Sequence, residues 1–150
     1  MARVVSSIAQ SVLVENDHFT LHDDRGPAPS LPPDPVDREL VHADLGHAVF
    51  RSAASTHYAA VRVELWDGEP LRSTAEGWDA KGAVDVLAGS AQLVLGPVVT
   101  VSEAARLSLP VPGRYRIDAA ARGRTEIQAL GPGSYAHGVE NWVIRIWPVG

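Results

Sequence analysis

Apolar and polar residues alternate with a period of two along most of this chain, the spacing that sends successive side chains to opposite faces of an extended strand. From Tyr58 to Trp66, Ala59, Val61, Val63 and Leu65 share one face, and Ala60, Arg62, Glu64 and Trp66 share the other. Asp67-Gly68 follows at once, a pair that tolerates the positive φ of a tight turn and so predicts a hairpin; Pro70 beyond it confines any returning strand to an edge. Gly82 to Ala88 sets Gly82, Val84, Val86 and Ala88 against Asp85, and Ala91 to Leu95 groups Ala91, Leu93 and Leu95. Leu107, Leu109 and Val111 share a face, and Pro112-Gly113 predicts a turn into a second hairpin. Its return strand, Arg114 to Arg122, aims Tyr115, Ile117, Ala119 and Ala121 inward. Val139 to Pro148 places Trp142, Ile144 and Ile146 opposite Val143, Arg145 and Trp147. Ser7 to Val14, His18 to Asp23 and Leu40 to Phe50 carry weaker alternation.

Roughly eight to ten short strands with turn signals every ~8 to 12 residues predict an all-β fold, a two-sheet antiparallel β-sandwich in preference to a barrel. A single sheet would leave one apolar face uncovered. The 13 Gly and 11 Pro leave little room for helix. The only helical hints are Asp34 to Leu40 and Ser102 to Arg106, where Ser102 has the chemistry of an N-cap. A length of 150 residues predicts one domain over 1–150, with a Pro-rich acidic loop at about 24–38.

Composition narrows the chemistry. The chain has no cysteine, which removes disulfides, thiolate metal sites and a cysteine nucleophile. Its net charge is -5, and residues 1–37, with two of the 13 basic and six of the 18 acidic side chains, carry -4 of it. No cluster of cations is present to displace counterions from phosphates, so nucleic acid is not expected as a direct ligand. The N-terminus lacks an apolar h-region and no stretch approaches the ~20 apolar residues of a membrane span; the expected location is the cytoplasm, with no membrane partner.

Of the six histidines, His42-Ala-Asp44 with a distant third ligand, His137, imitates a two-His-one-carboxylate iron site, as in a small metal-dependent oxygenase. Such enzymes need a longer chain to enclose iron and substrates. His18, His22, His42 and His47 lack zincin spacing and read as surface side chains. No Gly-x-Ser-x-Gly elbow, dinucleotide fingerprint or phosphate loop is present, so no catalytic residue and no cofactor is expected. Asp23-Asp24, Asp34 and Asp37 lack the spacing of a calcium loop. Four of the nine aromatic residues are Trp; Trp66 adjoins Asp67 and Trp78 adjoins Asp79. An aromatic face beside a carboxylate suits a protein hot spot or a sugar platform.

The ordered series Phe19-Thr-Leu-His-Asp-Asp24, Val61-Arg-Val-Glu-Leu-Trp-Asp-Gly-Glu-Pro70, Gly77-Trp-Asp79, Gly113-Arg-Tyr-Arg-Ile117 and Glu140-Asn-Trp-Val-Ile-Arg-Ile-Trp-Pro148 resembles small bacterial β-sandwich proteins of the competence protein J (ComJ) type. That family is associated with inhibiting a DNA-entry nuclease, and related domains look like antitoxin or immunity partners. The resemblance implies a non-enzymatic protein-binding module with a basic protein partner such as a nuclease or toxin. Net negative charge has the sign needed to meet the cationic groove of a nuclease. The expected binding residues are Asp23, Asp24, Asp34 and Asp37 with Trp66, Asp67 and Trp147. Two other expectations stand beside it: a carbohydrate-binding sandwich built on the Trp platforms, and the oxygenase using His42, Asp44 and His137.

Overall fold

The computed structural model describes residues 1–25, 39–44, 46–71, 77–96, 105–131 and 133–150. The Pro-rich segment, with Asp34, Asp37 and most of the first helical hint, lies outside them. Among the described residues are ten strands, β1 (Val4–Val14), β2 (His18–Asp23), β3 (Val41–Asp44), β4 (His47–Arg51), β5 (His57–Trp66), β6 (Ala80–Ala88), β7 (Gln92–Gly96), β8 (Arg106–Ser108), β9 (Gly113–Arg122) and β10 (His137–Pro148), and one helix, α1 (Arg124–Ala129). They make two five-stranded sheets, ordered β1-β5-β10-β9-β6 and β3-β4-β2-β7-β8. The expected all-β sandwich is what the chain adopts.

The alternating pattern sets the faces. His57, Ala59, Val61, Val63 and Leu65 of β5 point inward, as do Tyr115, Ile117, Ala119 and Ala121 of β9 and Trp142, Ile144 and Ile146 of β10. Phe19 and Phe50 from the second sheet stack with ring centroids 5.0 Å apart, and Trp142 from the first meets them edge-on at 5.0 and 5.8 Å. This three-ring contact locks sheet to sheet; each fully buried side chain of this size stabilises the fold by about 1.5–3 kcal/mol over exposure.

Two expected hairpins do not form. β5 is flanked by β1 and by β10, and the strand that follows it, β6, pairs only with β9 at the far edge. Asp67 instead prolongs the β1–β5 ladder, donating its N–H to the Arg3 carbonyl at 3.0 Å and accepting the Arg3 N–H on Oδ1 at 2.7 Å. At Pro112-Gly113 the chain crosses between layers: β8 belongs to the second sheet and β9 to the first. β10 runs parallel to β5 and every other pairing is antiparallel. Leu40 to Phe50 divides into the β3–β4 pair around Gly46, which has φ +80°.

Among the described residues the helix lies at a segment the sequence pattern did not mark. Of the two hints, Asp34 to Leu40 is described only at 39–40 and Ser102 to Arg106 only at 105–106, where Arg106 opens β8; the rest of both lies outside the described residues. α1 starts after Gly123, whose φ is +78° and where a Cβ would lie 1.9 Å from the Val139 carbonyl oxygen, so only glycine fits. Ile127 is the helix's buried anchor, and the Gly131 N–H closes its last turn on the Gln128 carbonyl at 3.1 Å. Among the described residues no helix is long and apolar enough to cross a membrane.

Candidate interaction surface

Strand directions bring several of the expected binding residues to one end of the sandwich. β5 ends at Trp66, β10 runs parallel to it and ends at Pro148, and β6, antiparallel to β9, ends beside them at Ala88. The Asp23 carboxylate reaches the backbone just past β6, so β2 ends there too. Trp66, Asp67, Trp147, Asp23 and Asp24 therefore share this end.

They are presented differently. Asp23 is only 4% exposed. Its carboxylate accepts the N–H groups of Gly89 at 2.7 Å, Ser90 at 3.1 Å and Arg25 at 3.1 Å, and the Ser90 hydroxyl. Burial alone would raise its pKa, but the Ser90 hydroxyl and the three N–H donors outweigh it and hold the carboxyl below the usual carboxylate value. Asp23 thus points inward, fastening the second sheet to the crossover at Gly89-Ser90. Asp24 is partly exposed and pairs with Arg106 at 2.7 Å.

Trp66 is half-buried, its indole N–H donating to Glu64 at 3.2 Å, and the Arg145 guanidinium lies 5.9 Å from its ring centroid. Trp147 is on the outward face by register yet largely covered; with Glu69, Pro70, Leu71 and Arg116 it lines a shallow depression of about 340 Å3. Around them the ions are mixed, with Arg145 set between Glu64 and Asp118 and bonded to Asp118 at 2.9 Å, and Arg116 paired with Asp85. Large apolar side chains are also exposed at this end, spread across the first sheet: Val5, Leu71, Leu87 and Val111 are each more than half exposed. Scattered exposed apolar residues are ordinary; of these four, Leu71 lines the same depression as Trp147, and Val5 and Leu87 lie on the two edge strands.

At the opposite end lies a polar cluster that no sequence motif announced. Ser52, His57 and Glu140 are buried, and Arg124 reaches in from α1. Glu140 Oε1 accepts the Ser52 hydroxyl at 2.7 Å and the Trp142 indole N–H at 2.8 Å; Oε2 accepts the Ala53 N–H at 2.9 Å and the Arg124 guanidinium at 3.2 Å. Ser52 Oγ also lies 2.8 Å from His57 Nε2. Because the single hydroxyl proton goes to Glu140, neutral His57 must carry its proton on Nε2 and donate it to Ser52. Burial pushes the His57 imidazole below its usual value, against the attraction of Glu140 and smaller contributions from the Ala54 backbone and Asp17.

The residue types are those of a nucleophile triad, but the wiring is not. The carboxylate accepts the serine's hydrogen bond directly instead of orienting the far ring nitrogen of histidine, and none of the three is more than 4% exposed. The cluster ties the loop after β4 to β10 and α1. The sequence signals were two polar residues in phase with an apolar face, His57 on β5 and Glu140 on β10.

The histidines also divide. His47 is 3% exposed, contrary to the surface position expected of it, because the outer face of the second sheet around Thr20, Val49 and Val94 is itself buried. It faces His22 across the β2–β4 ladder; burial, then the charge of His47, lowers the His22 pKa. His42 and Asp44 lie on β3 of the second sheet, whereas His137 opens β10 of the first and stacks on Tyr58 at 4.3 Å. Among the described residues no three His, Asp or Glu side chains converge as a metal site.

A sandwich of two five-stranded sheets with a parallel β5–β10 pair can be set beside solved structures. ComJ from Bacillus subtilis, the inhibitor of the DNA-degrading activity of NucA, superposes with a TM-score of 0.67 at 15% identity, covering 99% of each chain. The fold is shared with ComJ. The protein of crocagin biosynthetic gene J superposes with a TM-score of 0.60 at 18% identity, covering 100% of this chain and 99% of its own. No family model matches the sequence, and no curated protein matches it.

Proposed function

We propose that this chain is a non-enzymatic protein-binding module of the inhibitor or immunity type, docking a basic protein such as a nuclease or toxin at the end bearing Trp66, Asp67 and Trp147. The observation that supports the reading is a fold shared over 99% of each chain with a nuclease inhibitor, together with exposed Leu71 beside Trp147 at the end that carries Trp66. Asp67 and Asp24 add exposed carboxylates at the same end, while Asp34 and Asp37 are candidate contributors outside the described residues. A basic partner gains from such carboxylates mainly in encounter rate, and from the aromatic anchor in residence time.

Affinity capture from the native host, followed by binding kinetics at low and high salt, tests this. The expected result is a basic protein whose association slows as salt rises and whose affinity drops about thirtyfold or more with Trp66→Ala. Recovery of no protein partner, or of one indifferent to salt, Trp66→Ala and Asp67→Asn alike, overturns it. A sugar platform needs an open ring face, and here Arg145 lies against Trp66 and Arg122 against Trp78. That leaves the carbohydrate alternative with less support than protein docking.

A further inference from the structure

The outer face of the first sheet carries a second concave region, remote from the Trp66–Trp147 end. Small side chains floor a groove of about 640 Å3: Ala9 on β1, Ala60 on β5 and Val143 on β10. The register sets Ser11 opposite Ala60, Ala60 opposite Asn141, and Asn141 opposite Arg122, so the groove crosses four strands. At ~4.8 Å per inter-strand step its floor is about 14 Å long, the reach of about four residues of extended chain. Between His137 and Asn141 the β5–β10 register slips, and Gly138, at φ +70° with nothing within 4 Å of its would-be Cβ, leaves the groove open on that side. Trp78 with Arg122 closes one wall, and His137 stands on the other.

Charge then selects the ligand. In a chain of net charge -5, the ionisable residues lining this groove are Arg62, Arg122 and His137, with no carboxylate among them. Arg62 is paired with Glu64 at 2.9 Å. Arg122 is not paired with any carboxylate among the described residues; its guanidinium lies over the Trp78 ring, 4.8 Å from the centroid. The neighbouring acid, Asp79, is turned away to accept the Gly123 and Arg124 N–H groups at 2.9 and 3.3 Å. A guanidinium held against an aromatic face keeps its in-plane N–H fork for a carboxylate. On the outer face, Ser11 and Asn141 interrupt the apolar floor on either side of Ala60. The Asn141 amide N–H groups go to the Gly138 and Val139 carbonyls at 3.1 and 3.3 Å, which leaves Oδ1 as an acceptor. Ser11 and Asn141, two strand steps or about 9.6 Å apart, can hydrogen-bond the main chain of a peptide and would face bare methylenes under a fatty chain.

We propose that this groove binds an extended apolar peptide segment of about four residues whose carboxylate pairs with Arg122. The test is an NMR titration of the full chain with N-acetyl-Ala-Val-Ala-Leu as the free acid, as its C-terminal amide, and with decanoate. The free acid should shift the Trp78 indole and the backbone amides of Ala60, Asn141 and Val143, and bind about tenfold or more tightly than the amide. Arg122→Gln should erase the acid–amide difference without altering the rest of the spectrum. Ala60→Phe, which fills the floor and keeps Arg122, should abolish binding, and Trp66→Ala should leave it unchanged. Equal binding of acid and amide, shifts that are absent or map elsewhere, or tighter binding of decanoate than of the tetrapeptide would each overturn the proposal.

Discussion

Replacing Glu140 by alanine would remove one buried carboxylate that serves four donors: the Ser52 hydroxyl, the Trp142 indole, the Ala53 N–H and the Arg124 guanidinium. A buried donor left unpaired costs about 1–3 kcal/mol, and removing one partner of a buried ion pair costs about 3–5 kcal/mol. The four losses share one cavity and are not additive, and the Arg124 side chain, 22% exposed, keeps some access to water. The net expectation for Glu140→Ala is a loss of about 4 kcal/mol, a large part of the ~5–15 kcal/mol that holds a domain folded. For a chain of this size that lowers Tm by about 8–16 °C. Glu140→Gln keeps the shape and one acceptor oxygen but points an amide NH2 at donors, so about 2 kcal/mol is expected. Urea unfolding followed by tryptophan fluorescence and far-UV circular dichroism measures both, and the Trp142 indole proton resonance reports the lost hydrogen bond directly. A destabilisation by Glu140→Ala below about 1 kcal/mol would refute the account of this cluster as a structural tie.

Other outcomes follow from the same structure. His57 and His22 bind protons less readily when folded than in the unfolded chain, where a histidine titrates near 6.5. The unfolded chain therefore takes up the extra protons, and their contribution is complete above about pH 6.5 and declines as pH falls through and below it. Urea midpoints should drop between pH 7.5 and 5, and a flat profile would contradict this. Gly123→Ala must accommodate a Cβ placed 1.9 Å from the Val139 oxygen at positive φ, so a loss of about 2 kcal/mol or more is expected from the same unfolding assay. Asp23→Asn should destabilise by about 2 kcal/mol, because Gly89, Ser90 and Arg25 lose a charged acceptor, whereas Asp24→Asn should stay within about 0.5 kcal/mol. Asp24 is therefore the cleaner probe of partner contact.

Alternation is a local property of extended backbone, so the inward faces of β5, β9 and β10 could be read directly from their residues, and the sandwich class follows from having many such faces to cover. Turn chemistry misled at Asp67-Gly68 and Pro112-Gly113 because a turn-competent pair permits a reversal without choosing the strand that lies alongside. β10 took the place beside β5, from more than seventy residues further along the chain. The acidic and aromatic residues were visible as types, but whether each faced water was not: Asp23 and Asp24 are adjacent, and only one is buried against backbone donors. Ser52, His57, Arg124 and Glu140 belong to the loop after β4, to β5, to α1 and to β10, and no spacing along the chain connects them. Sequence alone determined which side chains turn inward along each strand; tertiary structure decided which strands became neighbours and which polar groups met, because those contacts join segments whose separation leaves no periodic trace.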